Sequence, residues 1–266
     1  MEILFLILIG GVIYYLLFRK NDGRTNIPIN TMEKRASLSA NQHNVEIIEL
    51  SNHIDEMRAL EKENRFLWFK TEDEKKWEAG REGEDIALSK VYKQLSRLNG
   101  KWKVITGYCN NKGETDMLII GETALLAMEI KNYSGVINCN GDEWFRDKYD
   151  KYGNLVEEDI PMRSKGRSPS MQVNEVAISL LNFLSRRGEQ PKLFTGVLFT
   201  HRNSNLNALR NQTVDIIGTI KELNIPSLFS NLSDSGRRYD VDKITNLIIQ
   251  DHNYHIERKK KRSNHR

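Results

Sequence analysis

An unbroken apolar run opens the chain: residues 3–18 (ILFLILIGGVIYYLLF) carry no charge and are followed by Arg19 and Lys20. As a helix this run spans about 24 Å at 1.5 Å per residue, a little short of a roughly 30 Å hydrocarbon core. Snorkelling of Arg19 and Lys20 and interfacial seating of Tyr14 and Tyr15 cover the difference. A cleaved secretory signal would want a basic start and a small-residue cleavage site, whereas here the start is Met1-Glu2 and bulky residues lead directly into charge. The pattern predicts an uncleaved single-pass anchor over residues 1–20. The basic excess at Arg19, Lys20 and Arg24 then puts the rest of the chain on the cytoplasmic side of a cell membrane.

Residues 21–44 are polar, contain Gly23 and Pro28, and predict a flexible linker. Ile47, Leu50, Ile54 and Met57 then recur at 3-4-3 spacing, which predicts an amphipathic helix over 45–70 within a helical linker, 45–77. Such a helix can pack on the neighbouring domain or self-associate. A domain is expected over 78–250. Its patterns predict a helix over 82–98 and strands over 102–108, 115–120 and 124–131. A hairpin over 135–146 should turn at Asn140-Gly141. A helix over 171–184, a buried strand over 193–200, a short strand over 214–217 and a helix over 241–250 complete it, before a basic tail, 251–266. The order helix, three strands, helix, strand describes an α/β domain.

Composition changes this picture little. The chain has 40 basic and 36 acidic side chains, and Arg258, Lys259, Lys260, Lys261, Arg262 and Arg266 supply six of the basic ones. Without them the balance is 34 against 36, so overall charge gives no support for nucleic-acid binding. The run 258–262 admits three readings: nucleic-acid contact, attraction to anionic lipid, or a solvated end. Cys109 and Cys139 are too few for a disulfide framework, lack zinc-site spacing, and read as reduced core thiols.

Three polar residues sit where a strand gains nothing from them. Asp116 starts one predicted strand, and Glu129 and Lys131 end the next. Residues two apart on a strand share a face. A hairpin centred between Glu122 and Thr123 pairs residues whose numbers sum to 245, which sets Asp116 opposite Glu129 with Cβ atoms about 5 Å apart. Two carboxylates so close repel, and a divalent cation resolves the conflict. Such a cation can polarise a phosphodiester and activate a water. Lys131 beside it can take up a proton or stabilise developing negative charge. The same three residues can also be simply solvated or form a plain ion-pair network, and E-x-K by itself is a common chance occurrence.

These residues fall within a larger pattern. Gly80-Arg81-Glu82-Gly83-Glu84, Thr115-Asp116 through Gly121, Glu129-Ile130-Lys131-Asn132-Tyr133-Ser134-Gly135 and Pro169-Ser170-Met171-Gln172 occur in that order. Together, over about residues 78–200, they resemble the nuclease-related domain, NERD, a branch of the PD-(D/E)xK nuclease superfamily. The resemblance implies a restriction-endonuclease-like core and metal-dependent hydrolysis of DNA, ahead of RNA, with magnesium or manganese as cofactor. It implies that Asp116, Glu129 and the Ile130 carbonyl hold the metal and that Lys131 is the catalytic lysine. Glu84 would approach from the first helix, and Gln172 would orient substrate or water from the second. Thr115 departs from the superfamily's proline, a backbone preference rather than a ligand. Arg163, Lys165 and Arg167, just before Pro169, are candidates for phosphate contact or for a solvated basic loop. A catalytically silent, membrane-tethered module that binds nucleic acid or protein is the alternative.

Overall fold

Every residue of 102–109, 117–120 and 124–130 is buried, as in the inner strands of a sheet covered on both faces. The computed structural model describes residues 44–51, 71–232 and 237–263. In chain order the elements are β1 (Val45–Glu49), α1 (Glu72–Leu95), β2 (Trp102–Cys109), β3 (Glu114–Ile120), β4 (Leu125–Lys131), β5 (Gly135–Asn140) and β6 (Glu143–Tyr149). They continue with β7 (Leu155–Pro161), α2 (Pro169–Arg186), β8 (Leu193–Phe199), β9 (Ser204–Arg210), β10 (Ile216–Thr219), α3 (Ile225–Leu232) and α4 (Val241–Ser263). The predicted anchor, nearly all of the linker and residues 52–70 of the predicted amphipathic helix lie outside the described residues. Among the described residues no helix is long and apolar enough to cross a membrane.

A six-stranded mixed sheet has the order β1-β2-β3-β4-β8-β10. Strands β2, β3 and β4 form an antiparallel meander, β1 joins β2 in parallel, and β8 and β10 extend the β4 side in parallel. Leu125 and Ala127 of β4 belong to the cluster that α2 and α4 cover with Val173, Leu180, Ile244 and Ile248. α1 lies along β4 as well, burying Ala87, Leu88, Val91 and Leu95. The α/β reading and its order α1, β2–β4, α2, β8 therefore hold for the main sheet.

Three expectations are corrected. Residues 45–49 are a strand, not the start of an amphipathic helix. Val45 through Glu49 pair with Trp102 through Thr106, and a parallel partner so distant in sequence leaves no local periodicity to read. The first helix begins at Glu72, ten residues before the predicted start. Thr71 and Glu74 close a reciprocal capping box there (2.7 and 3.2 Å), and Gly80 and Gly83 lie inside the helix. The basic run is no tail, because α4 continues helical to Ser263. Its lysines and arginines suit the negative end of the helix dipole.

A second sheet of order β7-β6-β5-β9 contains the predicted hairpin, with Gly141 in a left-handed turn conformation. Strands β7 and β9 were not foreseen. β7 is an exposed edge carrying Glu157, Glu158 and Asp159, the charges that keep an open edge from pairing further. The two sheets are continuous. The parallel pair β4/β8 of the first runs directly into the parallel pair β5/β9 of the second. The crossing is pinned by the Thr200 amide on the Lys131 carbonyl (3.0 Å) and the Gly135 amide on the Asn203 carbonyl (3.0 Å).

α1 closes onto this crossing. Asn132 Nδ2 donates to the Ala79 carbonyl (2.7 Å), and a Cβ on Gly83 would lie 2.6 Å from Thr200 Oγ1 and 2.8 Å from Asn132 Cβ. A Cβ on Gly80 meets nothing within 4 Å. Gly80→Ala should therefore gain about 1 kcal/mol of helix propensity. Gly83→Ala should lose stability overall, because overpacking at about 1–3 kcal/mol outweighs that gain. Opposite shifts of the melting midpoint, read by circular dichroism, check the pair.

Candidate active site at the fork between β3 and β4

The ladder between β3 and β4 pairs Met117 with Met128 and Ile120 with Leu125, so paired numbers sum to 245 as expected. Beyond Met117 and Met128 the two strands part company. β4 stays paired with β8 through Glu129, Ile130 and Lys131, opposite Val197, Leu198 and Phe199. Asp116, at the mouth of the resulting fork, reaches across with its side chain. Its Oδ2 accepts the Ile130 amide at 2.6 Å, a side-chain bond where the ladder ends. One residue earlier, Thr115 donates its hydroxyl to the Met128 carbonyl at 3.1 Å. The position that departs from the superfamily's proline thus fastens the two strands at the fork.

Strand alternation carries Glu129 and Lys131 to the face that Leu125 and Ala127 present to α2. Glu129 is only 3% exposed, a placement a lone carboxylate does not tolerate, and Lys131 Nζ lies 2.5 Å from its Oε1. Burial alone would pull the Lys131 ammonium down. Glu129 and Asp116 outweigh it and hold the group above the usual lysine range. Asp116 moves the other way for a carboxyl. Burial first, then the Glu129 charge, push it well above its ordinary value, Glu84 adds to the push, and Lys131 and the Ile130 amide oppose it incompletely. Burial and the neighbouring Glu129 thus both penalise the charged form of Asp116, and Lys131 relieves that penalty only in part.

Of the predicted site residues, Asp116, Glu129, Lys131 and the Ile130 backbone come together, and Glu84 is close enough to act on Asp116. Glu84 is not an acid at a helix start. It lies within α1, 4.0 Å from Arg81 Nη1, and Arg81 in turn meets Glu49 of β1 at 3.2 Å and Asp85 at 3.9 Å. Arg81 and Glu49 were not singled out from sequence. Only the neighbouring Gly83-Glu84 pair marked this part of the helix. Gln172 spends its amide nitrogen on the carbonyls of Arg167 and Ser168, both at 3.2 Å, at the start of its own helix. Arg167 is likewise engaged, donating to the Lys112 carbonyl (2.6 Å) and pairing with Glu175 (3.3 Å). Arg163 and Lys165 are exposed at a tight turn in which Lys165 has φ +51° and Gly166 +78°. Cys109 and Cys139 are free and buried, as expected.

Among the described residues no three His, Cys, Asp or Glu side chains gather closely enough to hold a metal by themselves. The carboxylates of Asp116 and Glu129 meet at the fork, and the resemblance adds the Ile130 carbonyl to them as a donor. That set fits a small hard cation which keeps water and phosphate oxygens for its remaining positions, as magnesium does, and a cation there would favour the charged form of Asp116 that burial and Glu129 penalise.

No curated protein and no solved structure matches the chain. Residues 79–201 match the family of the nuclease-related domain. The matched stretch starts within α1 and ends just past β8, so it contains Glu84, Asp116, Glu129, Lys131 and the crossing between the sheets. Residues 79–201 of this chain are thus matched as a nuclease-related domain, NERD, and the match is consistent with the PD-(D/E)xK nuclease superfamily.

Proposed function

We propose that this protein is a divalent-metal-dependent nuclease that hydrolyses phosphodiester bonds in DNA, held at a membrane by residues 3–18 with the nuclease-related domain on the cytoplasmic side. The observation that carries the reading is the carboxylate pair at the fork, Asp116 and Glu129, with Lys131 alongside. Magnesium or manganese would be held by Asp116, Glu129 and the Ile130 carbonyl, and when bound supplies Lewis-acid activation of the phosphodiester and of water. Lys131 stays protonated between two carboxylates, so of its two possible roles it serves charge stabilisation on the phosphate rather than proton abstraction. Asp116, tied to the Ile130 amide, keeps the fork's two arms at a fixed separation. Glu84 adds negative charge from α1.

One observation favours the alternative, a catalytically silent module that binds nucleic acid or protein. The Lys131 amine is already committed to Glu129 at 2.5 Å, as in a closed ion pair. Cleavage separates the two. The full chain should cut labelled DNA with magnesium or manganese and stop with a chelator. Lys131→Ala and Asp116→Ala should each lower the rate about 10²-fold or more. Binding with no cleavage under either metal, or equal rates in the variants, would establish the silent module.

The penalty on charged Asp116 has a signature in stability. The native carboxyl of Asp116 is raised above the unfolded value near 3.8, so its contribution is fully present below that value and is lost as pH rises through the native one. At neutral pH Asp116→Asn should therefore melt higher than the parent chain. Adding magnesium should raise the melting temperature of the parent and leave the variant nearly unmoved. Differential scanning calorimetry with and without the cation tests both shifts.

A further inference from the structure

Between α2 and α4 lies an open cleft of about 650 Å³, separate from the fork and lined by residues such as Lys112, Asn182, Phe183, Arg186, Arg187 and Tyr254. Two acids also line it, and both are taken: Glu175 pairs with Arg167 at 3.3 Å, and Asp251 accepts the Tyr108 hydroxyl at 2.5 Å and faces His255 Nε2 at 3.5 Å. Against these stand Lys112, Arg186 and Arg187, all exposed, so with Glu175 balanced by Arg167 and Asp251 buried the cleft turns an excess of positive charge to solvent.

Two aromatic groups line the cleft beside these cations. Tyr254 is 56% exposed, and the Arg187 guanidinium lies 5.3 Å from the centre of the Phe183 ring. An exposed tyrosine ring, beside cations of which one already lies over an aromatic ring, is what unpaired bases and their phosphates need, because every base offers a face to stack and every nucleotide a charge to neutralise. Paired bases keep their faces inside the duplex stack. The positive charge also continues past the cleft. Arg258 reaches Tyr254 Oη at 3.3 Å one turn along α4, and Lys261 and Arg262 follow at helical spacing near the same face.

The cleft is close to the fork. Lys112 on its rim and Asp116 at the fork are four residues apart, so their Cα atoms are separated by at most about 14 Å of extended chain.

We propose that the α2–α4 cleft and the basic end of α4 bind single-stranded nucleic acid, guiding the flank of a strand whose backbone reaches the fork. The purpose of this surface rests on the nuclease reading. The binding itself does not, and is measured without turnover. Full-length Lys131→Ala protein is titrated into labelled oligothymidylate, in chelator, by fluorescence anisotropy. Tyr254→Ala in that background should weaken binding about tenfold, and Tyr254→Trp should retain it. Joint Arg186→Glu and Arg187→Glu substitution should weaken it further and flatten its dependence on salt. The same oligonucleotide annealed into a duplex should bind without regard to Tyr254.

Unchanged affinity in the Tyr254→Ala and charge-reversed proteins overturns the proposal. So does a Tyr254 and Arg187 dependence seen only for phosphatidylserine vesicles and not for the oligonucleotide, which would make this face a lipid contact. If Tyr254→Ala does not fold, the Tyr254→Trp and charge-reversed proteins decide between the same outcomes. Tyr254-dependent binding by a parent chain that cuts nothing keeps the cleft and removes the nuclease reading. Cleavage without such binding does the reverse.

Discussion

Burying Glu129 is the constraint around which this domain is arranged. An unpaired carboxylate at 3% exposure would cost several kcal/mol, and the charge of Lys131 two residues along the same strand offsets it. The pair forms because alternate residues of an extended strand share a face, so it lasts only while β4 remains extended through Lys131. β4 has lost β3 by that point, and it is β8, paired up to Phe199, that keeps it straight. Everything downstream inherits this requirement: β4 and β8 leave the first sheet together, and α1 closes on their exit at a position where only glycine fits.

The second sheet supports the same arrangement from behind. Trp144 on β6 is 1% exposed, packs against Phe199 with ring centres 5.9 Å apart, and donates its indole N–H to Ser170 at 3.0 Å. Asp142 in the β5–β6 turn accepts from Ser170 at 2.6 Å and from Thr213 at 2.7 Å. One hairpin thus fixes the start of α2 and braces the end of β8. The start of a helix is where backbone N–H groups most need partners, and here Ser168 supplies the cap while Gln172 turns back on its own backbone. Gln172 is in this way a part of the helix start before it is anything else.

What was legible in the sequence was local. The β3–β4 register could be read because Gly121 and Glu122 interrupt two apolar runs, and the Gly121 amide does bond the Ala124 carbonyl across that turn at 3.0 Å. The facing of Asp116 and Glu129 followed from it. What was missed depends on distant partners. β1 has helix-like apolar spacing and becomes a strand only because β2 lies beside it. The helix start was read ten residues late because the Thr71 capping box lies before Gly80 and Gly83, whereas the close packing that two glycines allow is realised at Gly83, against Asn132 and Thr200. The Arg81–Glu49 contact joins a helix to a strand 32 residues away, which no motif encodes. The basic residues after 257 resemble a solvated tail, but α4 is tied to β2 at Asp251 and His252, so the helix leaves the sheet already formed.

The same economy of charge bears on the role of Lys131 under the proposed function. A lysine can serve as a base only if its environment favours the neutral amine, as burial in apolar surroundings does. Here burial acts in that direction and is overruled by Glu129 and Asp116, which gain more from the ammonium than it loses by desolvation. Neutralising Lys131 would also strand Glu129 as a buried, unpaired carboxylate. The ammonium can turn from Glu129 towards a phosphate only when another positive charge compensates that carboxylate, so the proposed cation and the mobility of Lys131 are linked by the same electrostatic requirement. Asp116 is subject to the same requirement: burial first and Glu129 second disfavour its charged form, and Lys131 offsets them only in part.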